Sequence, residues 1–206
     1  LIKVKGYSFL EAVETIIGHT AIQAPVYEKP QLKEENKPLL LPEKCASNRV
    51  ITEYLFGRGI DFEIINYCIS NDLIFESLPY HNVVFVGYDE KKEPKYAAYR
   101  STNKRRIMGD CSGSKKDYSF RLGKENLEEV HLFECAIDLL SYATLAKLNG
   151  QDWKEMSFVS LSGVYSPAKK IEDSKVPIAL EKYLGSNPSV RKIRIHFDND
   201  IAGRKA

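Results

Sequence analysis

The 206-residue sequence predicts an α/β protein in two parts: a parallel βαβαβ sheet, and before it a small, mostly antiparallel α+β region. Three observations predict it. From Glu129 onward, short apolar runs alternate with helices whose apolar residues fall on one face, as in strands joined by crossover helices. Between Leu73 and Leu122, runs of β-formers are separated by polar turns such as Asp89-Glu90-Lys91-Lys92. A hydrophobic content of 43% at this length supports one large domain or two small ones sharing a core, and excludes a disordered chain.

Taken in order, Tyr7–Gly18 carries apolar residues at 9, 12, 13, 16 and 17, the spacing of a short amphipathic helix capped by its glycine. From Ala24 to Pro42, four prolines among polar residues predict an extended linker or surface strap. Val50, Ile51, Tyr54 and Leu55 form a helical stripe ending at Gly57. Asp61 then caps a second helix with Ile64, Ile65, Cys68 and Ile69. Two readings are open for this pair, a DNA-reading helix-turn-helix and two helices packed at a tight turn, the second being the commoner cause. Strands are expected at Leu73–Glu76, Asn82–Gly87, Lys95–Arg100, Arg105–Met108 and Tyr118–Leu122. Then follow strand Val130–Glu134, helix Ala136–Leu148, strand Ser157–Leu161, helix Val176–Leu184 and strand Lys192–Phe197. Pro177 is placed in the first turn of the second helix and Gly185 after its end. Trp153 reads as a lid in the loop Asn149–Glu155, and most of Tyr96, Tyr99, Tyr118 and Phe120 as core. The division expected is residues 1–47 (helix and linker), 48–128 (basic α+β subdomain) and 129–206 (parallel α/β domain).

The formal charge is only +2, but it is unevenly spread. Lys91 to Lys124 holds eleven basic and three acidic residues, a net +8. Such a block suits a polyanion. Cys45, Cys68, Cys111 and Cys135 form no CxxC pair and have no histidine at ligand spacing, so no zinc is expected within the chain and the thiols are read as reduced. No run approaches the roughly 18 apolar residues that span a bilayer, and no signal peptide opens the sequence, so the expectation is a cytoplasmic protein without membrane contact. A start at Leu1 rather than Met and an end inside a helical pattern suggest a fragment of a longer protein.

In a parallel sheet the ligand site lies outside the carboxyl ends of the strands. One strand there runs into Glu134, and another into Asp198-Asn199-Asp200. If those strands are neighbours, three carboxylates converge on one rim. A hard divalent cation offsets their repulsion, and phosphoryl chemistry is its usual purpose. From the residues alone a second reading stands: Asp198 and Asp200 in an Asx-type turn capping the next helix, with Glu134 solvated. An EF-hand fails because Ala202 offers no ligand and a strand precedes the run. An Asp-x-Asp-x-Thr nucleophile fails because Ala202 stands where Thr is needed. Cys135 has no base partner and reads as a packed small residue, and His196 as a packed or edge histidine.

The motifs Phe133-Glu134-Cys135-Ala136-Ile137-Asp138, Ser160-Leu161-Ser162-Gly163 and His196-Phe197-Asp198-Asn199-Asp200-Ile201-Ala202-Gly203-Arg204 resemble the Toprim domain of bacterial primases, topoisomerases and related nucleases, with the primase branch matching best. Upstream, Asn48-Arg49-Val50, Arg58-Gly59-Ile60-Asp61, His81 to Gly87 and Gly113 to Phe120 resemble an uncharacterised primase-like family that precedes Toprim-like domains in proteins of plasmids and conjugative elements. The resemblance implies a catalytic and metal-binding set of Glu134, Asp198 and Asp200, with Mg2+ or Mn2+ as cofactor. Asp138, Ser162, Gly163 and Gly203 would support it. Arg100, Lys115 and Lys116 would face nucleotide or template; for the two lysines a solvated turn is the competing reading. Cys135 departs from the pattern by standing where most members have Gly. A third acidic motif and a preceding zinc ribbon are further family features that the 206 residues do not contain.

The implied function is Mg2+-dependent nucleotidyl transfer of the primase kind, in replication or transfer of a mobile element. Single-stranded DNA and nucleotides would be its ligands, and a helicase or relaxase its partner. The alternatives are a non-catalytic single-stranded DNA-binding module and a Toprim nuclease.

Overall fold

A computed structural model describes residues 37–163, 175–199 and 203. The expected helix at Tyr7–Gly18, the first part of the strap, Asp200 and Arg204 lie outside the described residues. The described strap bonds to the body through the Leu40 amide, which donates to the Ser112 carbonyl, and through Leu39, which packs beside Phe75 and Val84.

Helix α1 (Arg49–Gly57) buries Ile51 and Leu55, the inner side of its predicted stripe. Gly59, at φ +85°, makes the reversal into α2 (Phe62–Ser70). Asp61 caps α2 by accepting from the Glu63 amide at 2.8 Å, and Lys147 lies 2.7 Å from the same carboxylate oxygen. That lysine, through its hydrogen bond first, holds the Asp61 carboxyl below the usual carboxylate range.

Strands β1 (Ile74–Glu76), β2 (Val83–Tyr88), β3 (Pro94–Arg100) and β4 (Met108–Asp110) form an antiparallel sheet in chain order. The fourth strand begins at Met108 rather than Arg105. Asn103 accepts from the Arg105 amide, Arg106 sits at φ +51°, and Ser101 pairs with Ile107, so the residues expected to open the strand form the hairpin turn instead. The chain then makes a 3-10 turn at Lys116–Tyr118 that lies against β2. A Cβ on Gly87 would collide with the Tyr118 carbonyl there, which fixes glycine at that position.

The fifth expected strand leaves the first sheet. β5 (Arg121–Gly123) pairs antiparallel with β7 (Ser157–Ser160), while β6 (Glu129–Phe133) pairs parallel with both β7 and β8 (Lys192–His196), giving the order β5-β7-β6-β8. The second sheet is therefore mixed rather than wholly parallel. Once the 3-10 turn has used Lys116–Tyr118, the remaining β-formers emerge beside β7, where the Ser160 amide also donates to the Phe120 carbonyl.

Helix α3 (Ala136–Leu148) covers one face of this sheet and α4 (Ile178–Ser186) the other. α4 starts two residues later than expected, with Pro177 as its cap and Gly185 inside its last turn. The main core runs without a break from α1, α2, β1 and β2 through Phe120 to α3 and Phe158, so the two sheets share it. Trp153 belongs to this core rather than to a lid. It is 2% exposed and meets Tyr67 edge-on at 5.0 Å between ring centroids. Among the described residues no helix is long and apolar enough to cross a membrane.

Candidate active site at the carboxyl ends of the parallel strands

The register of the second sheet levels three strand ends. Phe133 pairs with Ser160 on one side and with His196 on the other, so Glu134, the Leu161-Ser162-Gly163 turn and Phe197-Asp198 all leave the sheet at one height. Backbone amides then fix Glu134 from both flanks. The Asp198 amide donates to Glu134 Oε1 at 2.9 Å, and the Gly163 amide donates to the Glu134 carbonyl at 2.9 Å. Ser162 at φ +59° and Gly163 at φ +115° make the turn that aims the second donor. Gly203 closes in from beyond: a Cβ there would run into the Asp198 carbonyl and come within 2.9 Å of Glu134 Oε1. Asp138, in the first turn of α3, accepts from the Cys135 thiol at 2.9 Å. Burial first, and the Asp138 charge second, push that thiol up to about 12, so Cys135 carries no thiolate at neutral pH.

Below the rim an aromatic stack ties β6 to β8. The His196 ring lies parallel to Phe133 at 4.8 Å and to His131 at 5.1 Å, and His131 Nδ1 and His196 Nε2 are 2.9 Å apart. Burial lowers the pKa of both histidines, His131 to about 4, so the pair is neutral at pH 7. This packing holds the two acid-bearing strand ends in register.

A lysine in the 3-10 turn that follows the antiparallel sheet reaches the same rim. Lys116 Nζ lies 3.3 Å from the Ser162 carbonyl and 3.4 Å from Asp110 Oδ2, while the Tyr96 hydroxyl donates to Asp110 Oδ1 at 2.7 Å. The structure thus brings together Glu134, Asp198, Ser162, Gly163, Gly203 and Lys116. Lys115 is exposed beside Lys116, with its amide on the Lys95 carbonyl. Arg100 stands farther along β3, opposite Met108, with its Nη1 3.8 Å from the Met108 sulfur. No hydrogen bond or ion pair joins it to the rim among the described residues. Asp200 lies outside the described residues. Sequence reasoning gave Asp110 no role, and it placed Tyr96 among residues read mostly as core, where it is indeed buried. The signal was the strand alternation that sets Tyr96, Ala98 and Arg100 on one face of β3, with Asp110 paired to Ala98.

The donor set at the rim is oxygen only: the half-buried Glu134 and the exposed Asp198. That chemistry fits a hard divalent cation, and the lysine one turn away fits a phosphate.

Residues 131–206 match the family model described as Toprim-like, and residues 53–126 match one described as a protein of unknown function, DUF3991. No curated protein matches. Among solved structures, the chain is similar to the primase fragment of the bacteriophage T7 primase-helicase protein, with 20% identity, 73% of this chain and 55% of that one covered, and a TM-score of 0.44. It is similar also to the E. coli primase catalytic core, with 12% identity, coverage of 77% and 58%, and a TM-score of 0.48. A third is the Aquifex aeolicus primase in its zinc-binding and RNA polymerase domains, with 17% identity, coverage of 77% and 45%, and a TM-score of 0.45. The chain spans about half the length of these three. Residues 131–206 are a Toprim-like domain, and the residues in front of them, 53–126, are a DUF3991 domain.

Proposed function

We infer that this chain is the catalytic part of a Mg2+-dependent nucleic-acid enzyme that joins nucleotides by primase-like nucleotidyl transfer, with Mn2+ as a substitute metal. The observation that carries the reading is the meeting of Glu134 and Asp198 at adjacent parallel strand ends, where the Asp198 amide holds the Glu134 carboxylate at 2.9 Å. Glu134 and Asp198, with Asp200 by sequence, would hold the cation. When bound, it neutralises charge developing on a phosphate.

The chain's own residues supply the rest. The Asp198 and Gly163 amides fix where Glu134 points, so its carboxylate is positioned to take the proton of a 3′-hydroxyl as the oxygen bonds to an α-phosphate and pyrophosphate leaves. Lys116 and Lys115 hold phosphates of the nucleotide or template, with Lys104, Arg105 and Arg106 on the exposed hairpin turn extending the basic surface for single-stranded DNA. Replication or transfer of a mobile element is the setting we propose, with a helicase or relaxase as partner.

De novo primer synthesis on single-stranded DNA with Mg2+ or Mn2+ tests this, comparing the natural-length protein with its Asp198→Asn variant. Template-dependent products lost in the variant support it. Strand cleavage by the parent alone would replace it with the nuclease reading. No product from either protein, with equal template binding, would replace it with the binding-module reading.

A further inference from the structure

Away from the acidic rim, the described residues assemble a mixed sulfur, nitrogen and oxygen cluster. Lys44 bridges Ser77, and the Cys45 amide donates to the Glu76 carbonyl at 2.8 Å, which sets Cys45 beside Glu76 at the end of β1. Glu76 is 2% exposed. Its Oε2 accepts from the Val50 and Ile51 amides in the first turn of α1, at 2.9 and 3.3 Å, and its own amide donates to Asn48 Oδ1. One carboxylate oxygen is thereby pinned to the helix and the other is turned toward His81, whose Nδ1 donates to Oε1 at 2.5 Å. His81 reaches it from the β1–β2 turn. Its amide donates to the Ser77 carbonyl, Thr102 donates to its carbonyl, and its φ is +53°, a conformation that costs a non-glycine residue energy. The ligand atoms of Cys45, Glu76 and His81 all lie within 4.8 Å of one another. Among the described residues His81 is the one ion-pair partner of this buried carboxylate, and no lysine or arginine meets it.

We propose that Cys45, Glu76 and His81 form a binding site for a transition-metal ion of the zinc class. The donor chemistry selects the ion: thiolate and imidazole suit zinc, whereas Mg2+ and Ca2+ prefer oxygen alone. Three protein ligands leave a fourth, tetrahedral position to water. Coordination replaces the Nδ1–H···Oε1 hydrogen bond. The Cys45 thiol gives its proton to solvent, His81 binds as the neutral ring with its proton on Nε2, and Glu76 binds as the carboxylate. Cys45 is half-buried and the His81 side chain is 46% exposed, so an ion can enter and these two side chains can close on it. The α1 amides on Glu76 Oε2 act as outer partners that orient the ligand. Bound metal would clamp the strap, β1, the β1–β2 turn and the start of α1. No spacing motif announces the site, because Cys45 and Glu76 are 31 positions apart and Glu76 and His81 five.

The test is titration of the 206-residue chain with Co2+, which reports thiolate ligation by a charge-transfer band, in excess Mg2+ to occupy the oxygen-only rim. One equivalent should bind, with the thiolate band, and Zn2+ should displace it. Cys45→Ser and His81→Gln should each lose the band or weaken binding by about 100-fold. Cys111→Ser and Asp198→Asn should leave both unchanged. Circular dichroism checks that the variants fold, and if Cys45→Ser does not, the exposed His81 carries the test. The proposal is overturned by no thiolate band at stoichiometric Co2+, by a Co2+ affinity that His81→Gln leaves unchanged, or by a band that follows Cys111.

Discussion

The antiparallel and mixed sheets carry charge of opposite sign in different ways. The second sheet gathers carboxylates at Glu134 and Asp198 through strand register, where a one-residue slip between β6 and β8 would separate them. The first sheet gathers positive charge on turns, at Lys104–Arg106 and Lys115–Lys116, where no register is needed. Under the proposed reading, the metal-binding geometry is built on paired strands and the attraction for phosphate on loops. Lys116 links the two by its contact with the Ser162 carbonyl.

If the sheets are one folding unit, the largest effect comes from the core between them. Phe120 is 1% exposed and meets Phe85 edge-on at 5.6 Å. Phe120→Ala should cost about 3–5 kcal/mol and lower a single unfolding transition for both sheets. Two separate transitions, seen by calorimetry, would break the comparison into independent domains. Next in size, Asp198→Asn or Glu134→Gln should lower nucleotidyl transfer by about 100- to 1000-fold in steady-state assays, with template affinity unchanged.

The stack beneath the rim gives a pH dependence. The folded pKa of His131, about 4, lies below the 6.5 of the free side chain, so the unfolded chain takes up its proton first as pH falls. Stability from this residue is full above pH 6.5 and lost progressively toward pH 4, at most about 3 kcal/mol in denaturant titrations. His131→Phe should flatten that slope. The smallest effect belongs to the first sheet: Lys116→Ala should weaken single-stranded DNA binding a few-fold and reduce the salt slope of log K by about 1. Its ion pair with Asp110 is surface-exposed, so stability should change by less than about 1 kcal/mol.

Much of the second sheet was legible in the sequence. Helix α3 runs over Ala136–Leu148 as its spacing predicts, and the acids after β6 and β8 mark the rim because parallel strands present their ends together. The first sheet was less legible where turns and long-range pairing decide. Arg105 and Arg106 look like strand residues until Asn103 and a left-handed Arg106 make them a turn. Leu122 alternates like any edge residue, and nothing local says that β5 joins β7 rather than β4. The Lys116 contact joins residues 46 apart in sequence, beyond any periodicity. Cys45, Glu76 and His81 were hidden for the same reason.

The most direct test of the divided chemistry measures primer synthesis and single-stranded DNA affinity together, in the natural-length protein and in its Asp198→Asn and Lys116→Ala variants. The account predicts that Asp198→Asn lowers synthesis by about 100- to 1000-fold at unchanged affinity, while Lys116→Ala weakens affinity and its salt dependence and still supports synthesis at saturating template. Full synthesis by Asp198→Asn would contradict it.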